Sequence, residues 1–422
     1  MMVGEELKKR HLLNQSSVEN IDAYLRTRPR TVYLGLDPSA DSLHVGHLAP
    51  ILAMRHLSEA GHSLIFLVGG GTGMIGDPSG KSDERNLLDE DTLRKNTNAL
   101  KKQVKMLVAA RNFRLVDNGE WLSRLGLIEF LRDIGKHFTV NSMVKRDAVR
   151  PRLETPDQSI SFTEFSYLLL QAYDFYHLNI KYKCDLQVGG ANQWGNVVSG
   201  IELIRRKLNR EVAGFTVPLV IDKVSGKKFG KSEGNAIWLD EKKTSPYAFY
   251  QFWLNVSDPN VFDYLRIFTF HSVADIEALE SQKDSQEKYQ QAKISLAYEV
   301  TTLVHGKATA EAVQSVSEVL FGDKNPHELS RLEKEMLRRD APGATLTKLE
   351  LSSAFLVTDM MVRAKLVSSK TEARTLIESG GVSINGLKVA SPHQTLAAGD
   401  FAHGFALLRR GKKQFVCLTI GR

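Results

Sequence analysis

Short apolar runs alternate with longer amphipathic stretches through the first half of the chain. TVYLGL (Thr31 to Leu36), SLIFLVGG (Ser63 to Gly70), CDLQVGG (Cys184 to Gly190) and FTVPLVI (Phe215 to Ile221) have the length of buried strands, and each is closed by Gly or Pro. Between them, Val45 to Ala60, Asp91 to Ala109, Phe162 to His177 and Asn192 to Leu208 carry helical spacing. Buried strands alternating with helices predict an α/β fold, a doubly wound parallel sheet with helices on both faces. Ligands on such a sheet bind at the carboxyl ends of the strands.

The pattern changes after residue 225. From about Ser245 to Phe321 the strand signal disappears, and TSPYAFYQFWLN and AKISLAYEVTTLVHG have helical spacing, the second stopping at Gly306. The polar stretch that follows, with Pro326 and Pro342, reads as a linker. The tail runs helix, helix, GGVSINGLKV and a closing strand pair, with hairpin signals at Asn385-Gly386 and Arg410-Gly411-Lys412. The expected division is therefore a catalytic α/β domain at 1–225, a lysine loop and all-α domain at 226–321, a linker at 322–351 and a small α+β module at 352–422.

Composition narrows the class without choosing a function. At 422 residues the chain exceeds what a single core supports, and 42% hydrophobic with 25% charged residues is ordinary for a soluble protein. No apolar run has the length of a membrane span, and the first thirty residues lack the apolar core of a signal peptide. Cys184 and Cys417 have no metal spacing, which fits a reducing, cytoplasmic setting and predicts no protein-held metal. Of the net charge of +7, ten Lys/Arg against four Asp/Glu from Leu351 onward place +6 in the tail. A basic terminal module suggests a polyanionic partner, nucleic acid first.

Two motifs carry nucleotide chemistry. HVGH (His44 to His47) lies between a strand end and a helix start. A glycine there lets a flat base approach the backbone, and the flanking imidazoles can donate to phosphate or ribose oxygens near a helix amino end. KKFGKS (Lys227 to Ser232) places Lys228 and Lys231 about a glycine, a cationic loop suited to a departing pyrophosphate.

Together the two motifs resemble the HIGH and KMSKS signatures of class I aminoacyl-tRNA synthetases. YLGLDPSADSLHVGHL, LVGGGTGMIGDPSGK, FLRDIGKHFTVN, ISFTEFSYLLLQAYDF, GGANQWGN and TSPYAFYQFWLN extend the resemblance, over nearly the whole length, to the bacterial-type tyrosyl-tRNA synthetases. The resemblance implies a Rossmann-like catalytic domain that activates tyrosine with ATP and loads it onto tRNA(Tyr). It assigns Tyr33 and Asp174 to the phenol, and Asp77, Tyr167, Gln171 and Gln193 to the ammonium. Tyr167, Gln171 and Asp174 stand at i, i+4 and i+7 and share one helix face. For ATP it assigns Gly35, Asp37, His44, Gly46, His47, Asn192 and Lys231, with His47 on the ribose side. The resemblance also implies that His44, His47, Lys228 and Lys231 act on the phosphates and ribose and that Lys81 and Arg85 of DPSGKSDER close over the pyrophosphate. Mg²⁺ comes with ATP and not as a dedicated protein site.

The tail segment SSKTEARTLIESGGVSINGLKV resembles the alpha-L RNA-binding module of certain ribosomal proteins, with Lys370, Arg374, Arg409, Arg410, Lys412 and Lys413 as phosphate contacts. The family implies a homodimer, with FLRDIGKHF near the interface. Two positions depart from its pattern. Asn192 stands where an Asp is usual, and Leu34 where a Cys is frequent; both weaken the expected hold on the ribose. A tryptophanyl synthetase, an adenylate-forming ligase such as pantothenate synthetase, and a non-catalytic RNA-binding paralogue are the rival readings. Tyr33 with Asp174, the RNA module and the retained signature motifs argue against each in turn.

Overall fold

The structure is a computed structural model describing residues 2–421 apart from 80–87, 109–111, 147–148, 156–157, 230, 233–234, 323 and 412–413; for Lys231, Ser232, Asn235 and His327 it describes the backbone alone. The chain forms two compact units, residues 1–244 with 256–296, and residues 245–255 with 297–422.

The first unit is built on a parallel sheet of β1 (Thr31–Leu36), β2 (Ser63–Val68), β3 (Phe113–Asp117), β4 (Leu186–Gly190) and β5 (Ala213–Val217) in the order β3-β2-β1-β4-β5. The expected α/β architecture is present. Four of the strands match the apolar runs. The last ends early, at Val217, because Pro218 cannot donate to a ladder. β3 had no signal: it is an edge strand whose Arg114 and Asp117 break the apolar run.

The helices α1 (Leu48–Glu59), α2 (Glu90–Val108), α3 (Phe162–Tyr182) and α4 (Trp194–Leu208) fall where the periodicity places them. Ser161 caps α3 by accepting from the Glu164 amide, and Lys183 ends it in a left-handed turn at φ 56°. α4 stops likewise at Asn209, φ 49°. The chain leaves β1 toward β2 and β3 on one side and returns as β4 and β5 on the other. A crevice therefore opens between the carboxyl ends of β1 and β4, the switch point of the sheet. Residues 256–296, read from sequence with the helical domain, belong to this unit and include α5 (Asp258–Phe268).

In the second unit, helices Pro246–Leu254, Lys307–Phe321 and Arg331–Asp340 accompany a five-stranded sheet. That sheet runs Leu387–Lys388, Val382–Ile384, Ala406–Arg410, Gln414–Ile420 and Gly343–Leu346, antiparallel except for the last pair. Asn385 and Gly386 both take positive φ, as the hairpin signal requires. The stretch read as a linker is folded: a Ser330–Glu333 capping box starts one helix, and Gly343–Leu346 completes the sheet.

Candidate active site

β1 ends at Leu36, and the chain then bends through Asp37 to the HVGH turn. Val45–His47 forms one 3-10 turn leading into α1. The His44 ring folds back so that its Nδ1 accepts from the Gly46 amide at 3.1 Å, while His47 Nδ1 accepts from the His44 amide at 3.2 Å. A Cβ on residue 46 would lie 2.8 Å from the His44 ring, so this arrangement requires glycine. With Nδ1 of each ring accepting a backbone amide, the neutral imidazole carries its proton on Nε2. The segment beyond the lysine loop pairs directly with this turn: Val45 donates to the Ile237 carbonyl and Leu239 to that of Leu43, at 3.0 and 2.9 Å. Residues far apart in sequence thus share one short ladder.

A cavity of about 380 Å³ opens at the switch point. Tyr33, Asp77, Tyr167, Gln171, Asp174 and Gln193 line it together with Gly35, Asp37, His44, Gly46, His47, Asn192 and Lys228. The structure therefore brings the six tyrosine positions and most of the nucleotide positions into one space. Lys81 and Arg85 lie outside the described residues, as does the side chain of Lys231.

One part of the cavity is lined by a buried hydroxyl and a buried carboxyl group. Tyr33 is 1% exposed, and its hydroxyl has no hydrogen-bond partner within the protein. An unmet buried hydroxyl is costly, and a polar ligand group arriving there removes the deficit. Asp174 accepts from Asn118 Nδ2 and Trp121 Nε1, both at 2.8 Å. Burial nonetheless raises its carboxyl to about 8, with those two bonds opposing the shift and the charge of Asp37 adding to it. Such a group gains from any ligand donor that stabilises its ionised form.

The rest of the expected tyrosine subset forms a linked network rich in acceptor oxygens. The Tyr167 hydroxyl donates to Asp37 at 2.7 Å, so its oxygen is left to accept from a ligand. Asp77 is held by the Ser79 amide at 2.9 Å and by Gln193 Nε2 at 2.6 Å. Asn196 Nδ2 then bridges the side-chain oxygens of Gln171 and Gln193 at 2.7 and 3.0 Å, fixing which end of each amide faces it. Asp37, assigned to ATP by the resemblance, accepts from Tyr167 and from Thr72 Oγ1, the latter at 2.9 Å. Gly69 makes room for that contact: a Cβ there would fall 2.1 Å from the Asp37 carboxylate. Asn192 reaches the Ser79 carbonyl at 3.5 Å, a long bond for an amide donor.

Three side chains that matter here escaped the sequence reading. Asn118 is fully buried; it donates to Asp174 and to Thr72 Oγ1 and accepts from the Gly71 amide at 2.7 Å. Trp121 lies flat on His177, at 4.4 Å and 14°, with its indole aimed at Asp174. Asn196 sits within the quoted GGANQWGN but received no role. Asn118 and Trp121 follow the unrecognised β3, so no strand end pointed to them.

In the second unit the proposed RNA contacts divide. Arg374 is exposed, and Lys370 is exposed but paired with Asp359 at 2.6 Å. Arg409 is turned inward, donating to the carbonyls of Leu320 and Gly322 at 2.6 and 3.2 Å at the end of helix Lys307–Phe321. Arg410 binds Glu372 at 2.9 Å and the Leu366 carbonyl. These two arginines hold the fold together, a task the charge pattern did not distinguish from RNA binding. Lys412 and Lys413 lie outside the described residues.

Comparison with known proteins identifies the family. Residues 25–322 match the family described as class I tRNA synthetases (W and Y), and residues 334–418 match the C-terminal domain of the tyrosine–tRNA ligases. The tyrosine–tRNA ligase of Hamiltonella defensa is 44% identical over 99% of this chain and 98% of its own, and that of Roseiflexus castenholzii is 45% identical over 97% of each. Among solved structures, a C-terminally truncated mitochondrial tyrosyl-tRNA synthetase from Aspergillus nidulans superposes with a TM-score of 0.67 at 30% identity, covering 76% of this chain and 94% of that one. The chain belongs to the class I aminoacyl-tRNA synthetases, among the tyrosine–tRNA ligases.

Proposed function

We propose that the cavity binds tyrosine and ATP side by side, forms tyrosyl-adenylate and pyrophosphate, and then delivers the tyrosyl group to the 3′ end of tRNA(Tyr). The observation that carries this is the unpartnered Tyr33 hydroxyl beside Asp174, in the same cavity as the HVGH imidazoles. The substrate phenol completes the hydrogen bonding of Tyr33 and Asp174. Its ammonium meets Asp77, Gln171 and Tyr167, with Asp37 behind the last. Recognition by buried polar groups discriminates against a hydroxyl-free analogue, a case for which this enzyme family is itself the standard illustration.

The tyrosine carboxylate is already ionised, so attack on the α-phosphorus requires no general base. A bond forms from a carboxylate oxygen to that phosphorus as the bond to pyrophosphate breaks. The protein contributes alignment and charge. His44, Lys228 and Lys231, with Lys81 and Arg85, carry the role of stabilising the leaving pyrophosphate. His47 and Asn192 serve the ribose, Asn192 more weakly than a carboxylate would. Mg²⁺ accompanies the nucleotide. In the second step a ribose hydroxyl of the terminal adenosine attacks the tyrosyl carbonyl, and AMP leaves.

Arg374 and Lys370 are the exposed cations best placed to meet tRNA phosphates. A homodimer is supported by Leu127, Ile128, Val140 and Phe162, each more than 60% exposed on elements that share the Phe130, Ile134 and Met143 core. Cytoplasmic residence fits a partner in translation; among the described residues no helix is long and apolar enough to cross a membrane. The direct test is to incubate the protein with tyrosine and ATP, remove free nucleotide and add tRNA. Retained tyrosyl-adenylate that passes its tyrosine to the tRNA supports the scheme, and failure to retain any adenylate contradicts it.

A further inference from the structure

The catalytic lysine of the described loop, Lys228, is an exposed, flexible side chain whose aim depends on how its backbone is held. Its support comes from α5. The chain from Val220 to Phe229 forms a hairpin, with Asp222 donating to the Lys227 carbonyl at 3.0 Å and Phe229 to that of Val220 at 2.9 Å. Asp222 closes the turn, its Oδ1 accepting from the amides of Val224 and Ser225 at 3.0 and 2.7 Å. Asn260, on the first turn of α5, is 0% exposed. Its Nδ2 donates to Asp222 Oδ2 at 2.7 Å and to Ser257 Oγ at 2.6 Å, and its Oδ1 accepts from the Lys223 amide at 2.9 Å.

The grip continues along one helix face. Asn260, Tyr264 and Phe268 are spaced i, i+4 and i+8, a single stripe on α5. Phe229, the residue after Lys228, is buried against the last two, with ring centroids 4.4 Å from Tyr264 and 5.6 Å from Phe268. Lys223 adds an ion pair with Asp263 at 2.5 Å. The same helix packs against α1, which begins at the HVGH turn. One element thus touches the supports of both nucleotide motifs.

Resting on the reading of the cavity as the site of tyrosine activation, we infer that α5 is the fixed mount of the lysine hairpin and that Asn260 is a positioning residue for Lys228. A catalytic cation displaced by about an ångström can lose roughly a hundredfold in rate. Loosening the Asn260–Asp222 link should therefore lower the turnover of activation and leave tyrosine binding, which uses other residues, unchanged.

The test is tyrosine-dependent ATP–pyrophosphate exchange on the full chain with four variants of the link, and with Lys228→Ala alone and combined with Asn260→Ala. Asn260→Ala removes the link. Asp222→Asn keeps the turn acceptor but sets one amide against another. Asn260→Asp sets two carboxylates together, and the double swap Asp222→Asn with Asn260→Asp restores a donor–acceptor pair. Each single variant is expected to cut kcat by roughly tenfold or more with KM for tyrosine unchanged, and the swap to recover most of it. In a Lys228→Ala background, Asn260→Ala should add less than about a twofold loss. Should Asn260→Ala fold poorly, Asp222→Asn and the swap still decide the matter. Wild-type exchange with kcat unchanged in the single variants overturns the inference. So does an equal loss with and without Lys228. Absence of exchange in the wild type would instead contradict the reading of the site itself.

Discussion

At Tyr33 and Asp174 the proposed discrimination rests on a single ligand hydroxyl. The Tyr33 hydroxyl is buried and unpaired within the protein, while Asp174 is held by two donors and still resists ionisation. Removing the hydroxyl should therefore weaken tyrosine alone. Tyr33→Phe is expected to cost about 0.5–1.5 kcal/mol of tyrosine binding, up to roughly tenfold in KM, with phenylalanine unaffected. A parallel loss for both amino acids would contradict this. Asp174 also gives the empty protein a pH signature. Its folded-state value is raised from 3.8 to about 8, so the folded chain keeps a proton that the unfolded chain releases. Stability is greatest below the unfolded value and falls as pH rises toward about 8. Thermal unfolding of Asp174→Asn, compared with wild type across that window, should show this contribution to the slope removed. Saturating tyrosine should reduce the wild-type slope, because a phenol donor favours the ionised carboxylate.

Elements whose purpose is burial were legible in the sequence, and those defined by distant partners were not. TVYLGL reads as a strand because each residue but Gly35 is at least partly covered, and the structure places β1 at those residues. β3 failed because its exposed Arg114 and its ion-paired Asp117 break the apolar run, and with it went Asn118 and Trp121. Nothing local to those two residues reveals that α3 brings a carboxylate to them. The basic tail shows the same limit in reverse. Composition counts Arg409 and Arg374 alike, yet Arg409 closes the carbonyl end of a helix while Arg374 faces solvent. Arg409→Ala is accordingly expected to lower thermal stability by about 1–2 kcal/mol. Arg374→Ala should leave stability unchanged and weaken tRNA binding with a reduced salt dependence. Filter binding at several salt concentrations, beside thermal melts, separates the two.

Over the whole molecule, two distant motifs meet at one cavity because the order in which the parallel strands are added reverses between β1 and β4. His44 and His47 enter from the end of β1, Asn192 and Gln193 from the end of β4, and Lys228 from the hairpin after β5. The sequence predicted this meeting from the order of strands and the resemblance of both motifs to known signatures. It could not show that residues 256–296 belong with the catalytic unit, since their helical spacing is the same whichever core they cover. The central claim is that this single cavity recognises a phenol and activates its carboxylate. ATP–pyrophosphate exchange measured on the purified protein with each of the twenty amino acids tests it most directly. Exchange with tyrosine alone is the predicted result. Exchange with none, or equally with phenylalanine, would contradict it.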